Sequence, residues 1–68
     1  MKDIRRLFGE KVKSFRKKRG FSQENLGFKS SIHRTYISEV ERGRRNISIV
    51  NIAKIAKALN LRIKELLD

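Results

Sequence analysis

Sixty-eight residues with 18 Lys and Arg against 7 Asp and Glu, a net charge of +11, leave room for one small domain spanning residues 1–68 and point to a polyanionic partner, nucleic acid before an anionic membrane surface. Cysteine is absent and His33 is the sole histidine, so no disulfide framework, metal site or cofactor is expected. The scattered acids offer no catalytic constellation, so the chain is not read as an enzyme. No apolar run reaches membrane-spanning length and none follows Met1-Lys2, so a cytoplasmic chain with no membrane partner is expected.

Ile4, Leu7, Phe8, Val12 and Phe15 fall on one stripe of a helix running from about Asp3 to Arg19 and closed by Gly20, a residue suited to the left-handed position after a helix. Nine of the 18 basic residues precede Gly20, against only Asp3 and Glu10; most are expected to face solvent, with phosphate contact confined to a few near the C-terminal end, such as Lys18. Ser22 is a natural N-cap for the next helix, with Phe21 positioned to staple onto Leu26. Asn25 at the third helical position makes this less than a full capping box. Polar Lys29-Ser30-Ser31 ends that helix early. Ile37 and Val40, with Tyr36 beside them, mark another short helix that stops at Gly43. Arg44-Arg45-Asn46-Ile47 reads as a basic loop, and Ser48 caps a helix whose stripe is Ile49, Ile52, Ala53, Ala56 and Leu59. Ile55 lies on the flank of that stripe, and Asn60 can end the helix from the left-handed region. Leu61, Ile63, Leu66 and Leu67 form a last short helix. The fold class is therefore all-α, a compact five-helix bundle.

Two short helices joined by a few residues suit a helix-turn-helix, although spacing alone also fits any small bundle. Residue identity is more specific. Ser22-Gln23-Glu24-Asn25-Leu26, then Ile32, then Tyr36-Ile37-Ser38-Glu39-Val40-Glu41-Arg42-Gly43 closely resembles the phage-repressor/Cro (XRE) helix-turn-helix family, over roughly residues 7 to 67. Within it, His33 through Ser38 and Glu41 through Asn46 look most like controller proteins of restriction–modification systems. Two positions depart from the family pattern. Gly27 stands where Ala is usual, at about 0.8–1.0 kcal/mol of helix propensity, and His33 replaces a capping Ser, Thr or Asp, so a less tightly capped helix is expected.

The resemblance implies a lambda-repressor-like domain with a recognition helix from about His33 to Arg42 in the major groove of a double-stranded DNA operator. Arg34 would grip guanine, Thr35 would meet a thymine methyl or donate a hydrogen bond, and Tyr36 would reach base or phosphate. Arg45 matches a position where related controllers carry a DNA-contacting arginine. Ser22, Gln23, Ser31, Arg44 and Asn46 would contact phosphate. Ser38 either touches DNA or faces solvent. Glu39 either accepts from cytosine, discourages wrong sequences, or is simply solvated. Glu41 is read as a structural ion-pair partner, and Ile37, Val40 and Leu26 as core.

One short helix reads few base pairs, so a homodimer on a pseudo-palindromic operator is expected, with Ile55, Leu61 and Ile63 as the dimer surface and no small-molecule effector. The alternative is an antitoxin-type autoregulator whose main partner is a toxin protein.

Overall fold

The computed structural model describes residues 3–67, so the reading of Met1-Lys2 lies outside the described residues. Five helices follow one another: α1 (Ile4–Lys18), α2 (Gln23–Ser30), α3 (Arg34–Glu41), α4 (Ile49–Ala58) and α5 (Ile63–Leu67). Their boundaries have local causes. The Asp3 carboxylate accepts from the Arg5 N–H, and the Ser22 and Ser48 hydroxyls accept from the Asn25 and Asn51 N–H groups. At the other ends, Gly20 and Gly43 (φ 74°) and Asn60 (φ 58°) turn the chain through the left-handed region. Two cap expectations are corrected. The Asn25 side chain accepts from the Ser22 N–H at 3.1 Å, so an amide completes the capping box in place of the usual Glu or Gln. His33 caps α3 through Nδ1, which accepts from the Thr35 N–H at 3.1 Å.

The core draws Phe8 and Val12 from α1, Leu26 from α2, Ile37 and Val40 from α3, Ile52, Ile55, Ala56 and Leu59 from α4 and its cap, and Leu66 from α5. α1 packs on α3, α2 on α3 and α4, and α5 bridges α1 and α4. Three stripe residues are exposed and lie outside this core, Leu7 least so at 41%. Ile4 and Ile49 are 74% and 65% exposed. Each is the first residue of its helix, where the stripe runs past the element it packs on. Ile55 departs in the opposite sense: it is 0% exposed and has no surface to offer a partner chain. α4 is covered by α2 on one side and α5 on another, so both the stripe and its flank are buried. Leu61 and Ile63 are half-buried against the core.

Backbones meet closely at two glycines. A Cβ on Gly9 would run into the Val40 carbonyl oxygen and lie 2.9 Å from that of Glu41, so α1 crosses α3 with no room for a side chain. A Cβ on Gly27 would lie 2.6 Å from the Ile32 carbonyl oxygen. The glycine there sets how tightly α2 and α3 fold together.

Candidate nucleic-acid interface

The α2–turn–α3 unit is closed by its backbone and fixed from behind by one buried carboxylate. Ser31 adopts the left-handed conformation (φ 59°) that turns the chain out of α2, and the Ile32 N–H donates to the Gly27 carbonyl at 2.9 Å. Behind α3, Glu41 accepts from Arg16 Nε at 2.6 Å and Nη2 at 3.0 Å, a two-point pairing that suits the guanidinium fork. Arg16 Nη1 donates to the Phe21 carbonyl at 2.8 Å, and Gln23 Nε2 donates to Glu41 at 3.1 Å. A single carboxylate thus ties α1, the α1–α2 turn, α2 and α3 together. Among the described residues no buried side-chain N or O atom lacks a partner, which is the condition under which a buried charge is tolerated.

Glu41 as a structural partner is thereby confirmed, whereas Arg16 was not singled out by the sequence. Arg16 follows Val12 by four residues, and Glu41 follows Ile37 by four, so each charge sits on its helix's apolar stripe. That coincidence of opposite charges on two core stripes was the available signal. Arg19 is a second such residue: it donates through Nε to the Leu59 carbonyl at 2.9 Å, at the C-cap of α4.

In front, the first turn of α3 exposes Arg34 and Thr35, while Tyr36, Ser38 and Glu39 are half-buried. Arg34 lies 3.8 Å from Glu24 of α2 with both side chains well exposed, a loose pairing that solvent screens. Beyond α3 the loop returns Arg45 to the helix: its Nε donates to Glu39 Oε1 at 2.7 Å and its guanidinium lies 4.7 Å from the centre of the Tyr36 ring. Three residues from the sequence reading therefore form one surface group, Tyr36, Glu39 and Arg45. Arg44 and Asn46 are exposed in the same loop, with Asn46 at the edge of an apolar groove lined by Ile4, Phe8, Ile47, Ile52 and Leu67.

Ser22 is exposed at the start of α2, but Gln23 is half-buried with its amide nitrogen engaged by Glu41. Lys18 is exposed, its ammonium 5.2 Å from the centre of the Phe15 ring. Ser31 borders two shallow grooves, one shared with Glu24, Phe28, His33 and Arg34, the other with Lys29, Lys54 and Lys57. Phe28, which the sequence reading passed over, is 89% exposed beside the first turn of α3. Among the described residues no helix is long and apolar enough to cross a membrane.

A short helix packed across another, with a basic and polar first turn turned outward, is the arrangement of a DNA-binding helix-turn-helix. Residues 12–66 match the profile of the helix-turn-helix family, and the chain belongs to that family, one of DNA-binding transcriptional regulators rather than enzymes. It is 55% identical to the control protein C.BamHI of Bacillus amyloliquefaciens, over 97% of this chain and 83% of that one. The fold superposes on the restriction–modification controller C.AhdI of Aeromonas hydrophila with a TM-score of 0.90 at 45% identity, covering 91% of this chain and 94% of that one. SinR, a regulator of Bacillus subtilis solved in complex with DNA, superposes with a TM-score of 0.86 at 32% identity, over 90% and 98% of the two chains.

Proposed function

We propose that this chain, as a single helix-turn-helix domain in the cytoplasm, controls restriction–modification genes by binding a pseudo-palindromic DNA operator as a homodimer. The observation that carries the reading is the exposed first turn of α3, with Arg34 and Thr35 outward and the Tyr36–Arg45 group beside them, on a helix fixed from behind by Glu41. Such a helix enters the major groove as a preformed body, so little ordering is left to be done on binding. Similarity to C.BamHI and C.AhdI supports the choice of regulated genes, and SinR supports duplex DNA as the partner.

In this reading Arg34 supplies two parallel donors to guanine, Thr35 meets a neighbouring base and Tyr36 reaches base or phosphate, with Ser38 at the margin and Arg45 on a second base edge. Ser22, Gln23, Ser31, Lys18, Arg44 and Asn46 steady the domain on the sugar–phosphate backbone, where the +11 charge favours approach to any sequence. Leu61 and Ile63, each with part of its apolar surface open, contribute to the contact between two copies.

The test compares two substitutions on an operator selected from random-sequence DNA and on a scrambled duplex. Arg34→Ala is expected to cost about 1–3 kcal/mol per half-site on the operator and to relax preference at one base pair. Lys18→Ala is expected to weaken both duplexes equally and by less. Equal losses on both duplexes for Arg34→Ala would make Arg34 a phosphate contact and remove the base-reading assignment.

A further inference from the structure

The loop after α3 carries Arg44 and Arg45, with Arg42 at the helix cap, and of these three cations Arg45 is held by an acid among the described residues. The partner, Glu39, lies on the recognition helix itself. Its carboxylate takes the Nε–H of Arg45 at 2.7 Å, and the Tyr36 ring supports the guanidinium plane at 4.7 Å. This division of donors matters. A guanidinium has five N–H groups in a rigid plane, and with Nε committed to Glu39 the two terminal nitrogens make no hydrogen bond among the described residues. They form a flat fork of the spacing that matches O6 and N7 of guanine.

Left free on a loop, an arginine turns to the nearest phosphate, which contributes affinity without sequence information. Held at Nε and supported by the ring, it cannot do so without leaving both partners. Glu39 itself is an acid facing a polyanion, so it weakens binding to any DNA. Its presence there is accounted for by what it does to Arg45. We propose that Glu39 is a specificity-determining positioning residue: it presents the terminal fork of Arg45 to a base edge and keeps that side chain off the phosphates. This rests on the reading, given above, that Arg45 contacts a base.

The experiment is a double-substitution cycle on the full chain. Affinity is measured for an operator duplex recovered from a random pool and for a scrambled duplex of equal length and salt, with circular dichroism confirming that each variant is folded. Glu39→Ala removes one negative charge and so tightens both complexes. If Glu39 positions Arg45, the scrambled duplex gains more, and the operator-to-scrambled affinity ratio falls about tenfold. The salt dependence on scrambled DNA also steepens by about one unit per subunit, because the freed Arg45 neutralises a phosphate. Glu39→Gln, which keeps an acceptor for Nε, is expected to lose less of the ratio. In the Arg45→Ala background the same Glu39→Ala change leaves the ratio where it was.

A ratio unmoved by Glu39→Ala while Arg45→Ala lowers it overturns the positioning role and leaves Arg45 as a base contact. A ratio unmoved by Arg45→Ala removes the base-contact reading itself, and the positioning role with it. A ratio that Glu39→Ala lowers equally in both backgrounds means that Glu39 reads a base directly, which also overturns the proposal.

Discussion

Behind the recognition helix and in front of it the chain uses the same chemical pair at nearly the same length. Arg16 meets Glu41 at 2.6 Å and Arg45 meets Glu39 at 2.7 Å. What differs is the surroundings. The side chains of the first pair are 10% and 3% exposed, those of the second 47% and 36%. Distance therefore says little about what either pair does; water decides it. In the buried pair each charge has already lost its hydration, so neither partner can be withdrawn without stranding the other. In the exposed pair solvent can replace either partner, so the bond adds little stability, and its weight lies in where it holds Arg45. The first fixes α3 as a rigid body, and the second orients a side chain on its surface.

The largest expected effect breaks the buried member. Glu41→Ala strands the Arg16 guanidinium and removes the acceptor of Gln23, and is expected to cost about 3–5 kcal/mol in denaturant unfolding. Glu39→Ala, measured the same way, is expected to cost no more than about 1 kcal/mol. Similar losses from both would mean that burial is not what separates the two pairs. A smaller effect sharpens the same contrast by probing the space around Glu41. Gly9→Ala improves helix propensity, but its Cβ meets the Val40 and Glu41 carbonyls, two backbone atoms with little freedom to move. A net loss of about 1–3 kcal/mol is expected, with Gly27→Ala less costly because only the Ile32 oxygen lies within 3 Å of its Cβ. Gly9→Ala leaving stability unchanged would show that α1 can slide on α3, and the buried pair would then not fix α3 rigidly.

Local signals in the sequence carried further than global ones. Ser22, Ser48, Gly20, Gly43 and Asn60 each act within a few residues of themselves, and each closes or opens a helix where its chemistry indicates. Periodicity located the stripes but not their ends. Nothing in a 3.6-residue repeat says how far a neighbouring helix extends, so Ile4 and Ile49 look like core and are exposed. Nor does it say how many neighbours a helix has, which is why Ile55 looked available to a second chain. The helix-turn-helix was legible from residue identity. How its exposed residues group was not. Arg45 reaches Glu39 and Tyr36 only because Gly43 reverses the chain after α3. Arg16 was hidden for a different reason: an arginine in a basic helix is ordinarily a surface residue, and only its place on the stripe marks it otherwise.

A third pair completes the comparison and carries the smallest expected effect. Arg5 and Asp3 meet at 2.6 Å, as short as the buried contact, with side chains 43% and 46% exposed. Asp3 accepts from the Arg5 side chain and from its backbone N–H, and these two bonds, the side-chain one foremost, lower its carboxyl from 3.8 to about 2. The folded value is below the unfolded one, so whatever the cap contributes is fully present above pH 3.8 and is lost as the pH falls through about 2. Exposure to solvent makes that contribution slight. The expected outcome is local. The carboxyl NMR shift of Asp3 should titrate with a midpoint near 2, and the Arg5 amide should follow it. Asp3→Asn should abolish that acid-linked change at Arg5 while leaving overall stability near neutral pH almost unaltered. A midpoint at 3.8 would mean that the short contact does not persist in water. The 2.6 Å separation would then carry still less weight against exposure than the 2.7 Å of the Arg45–Glu39 pair.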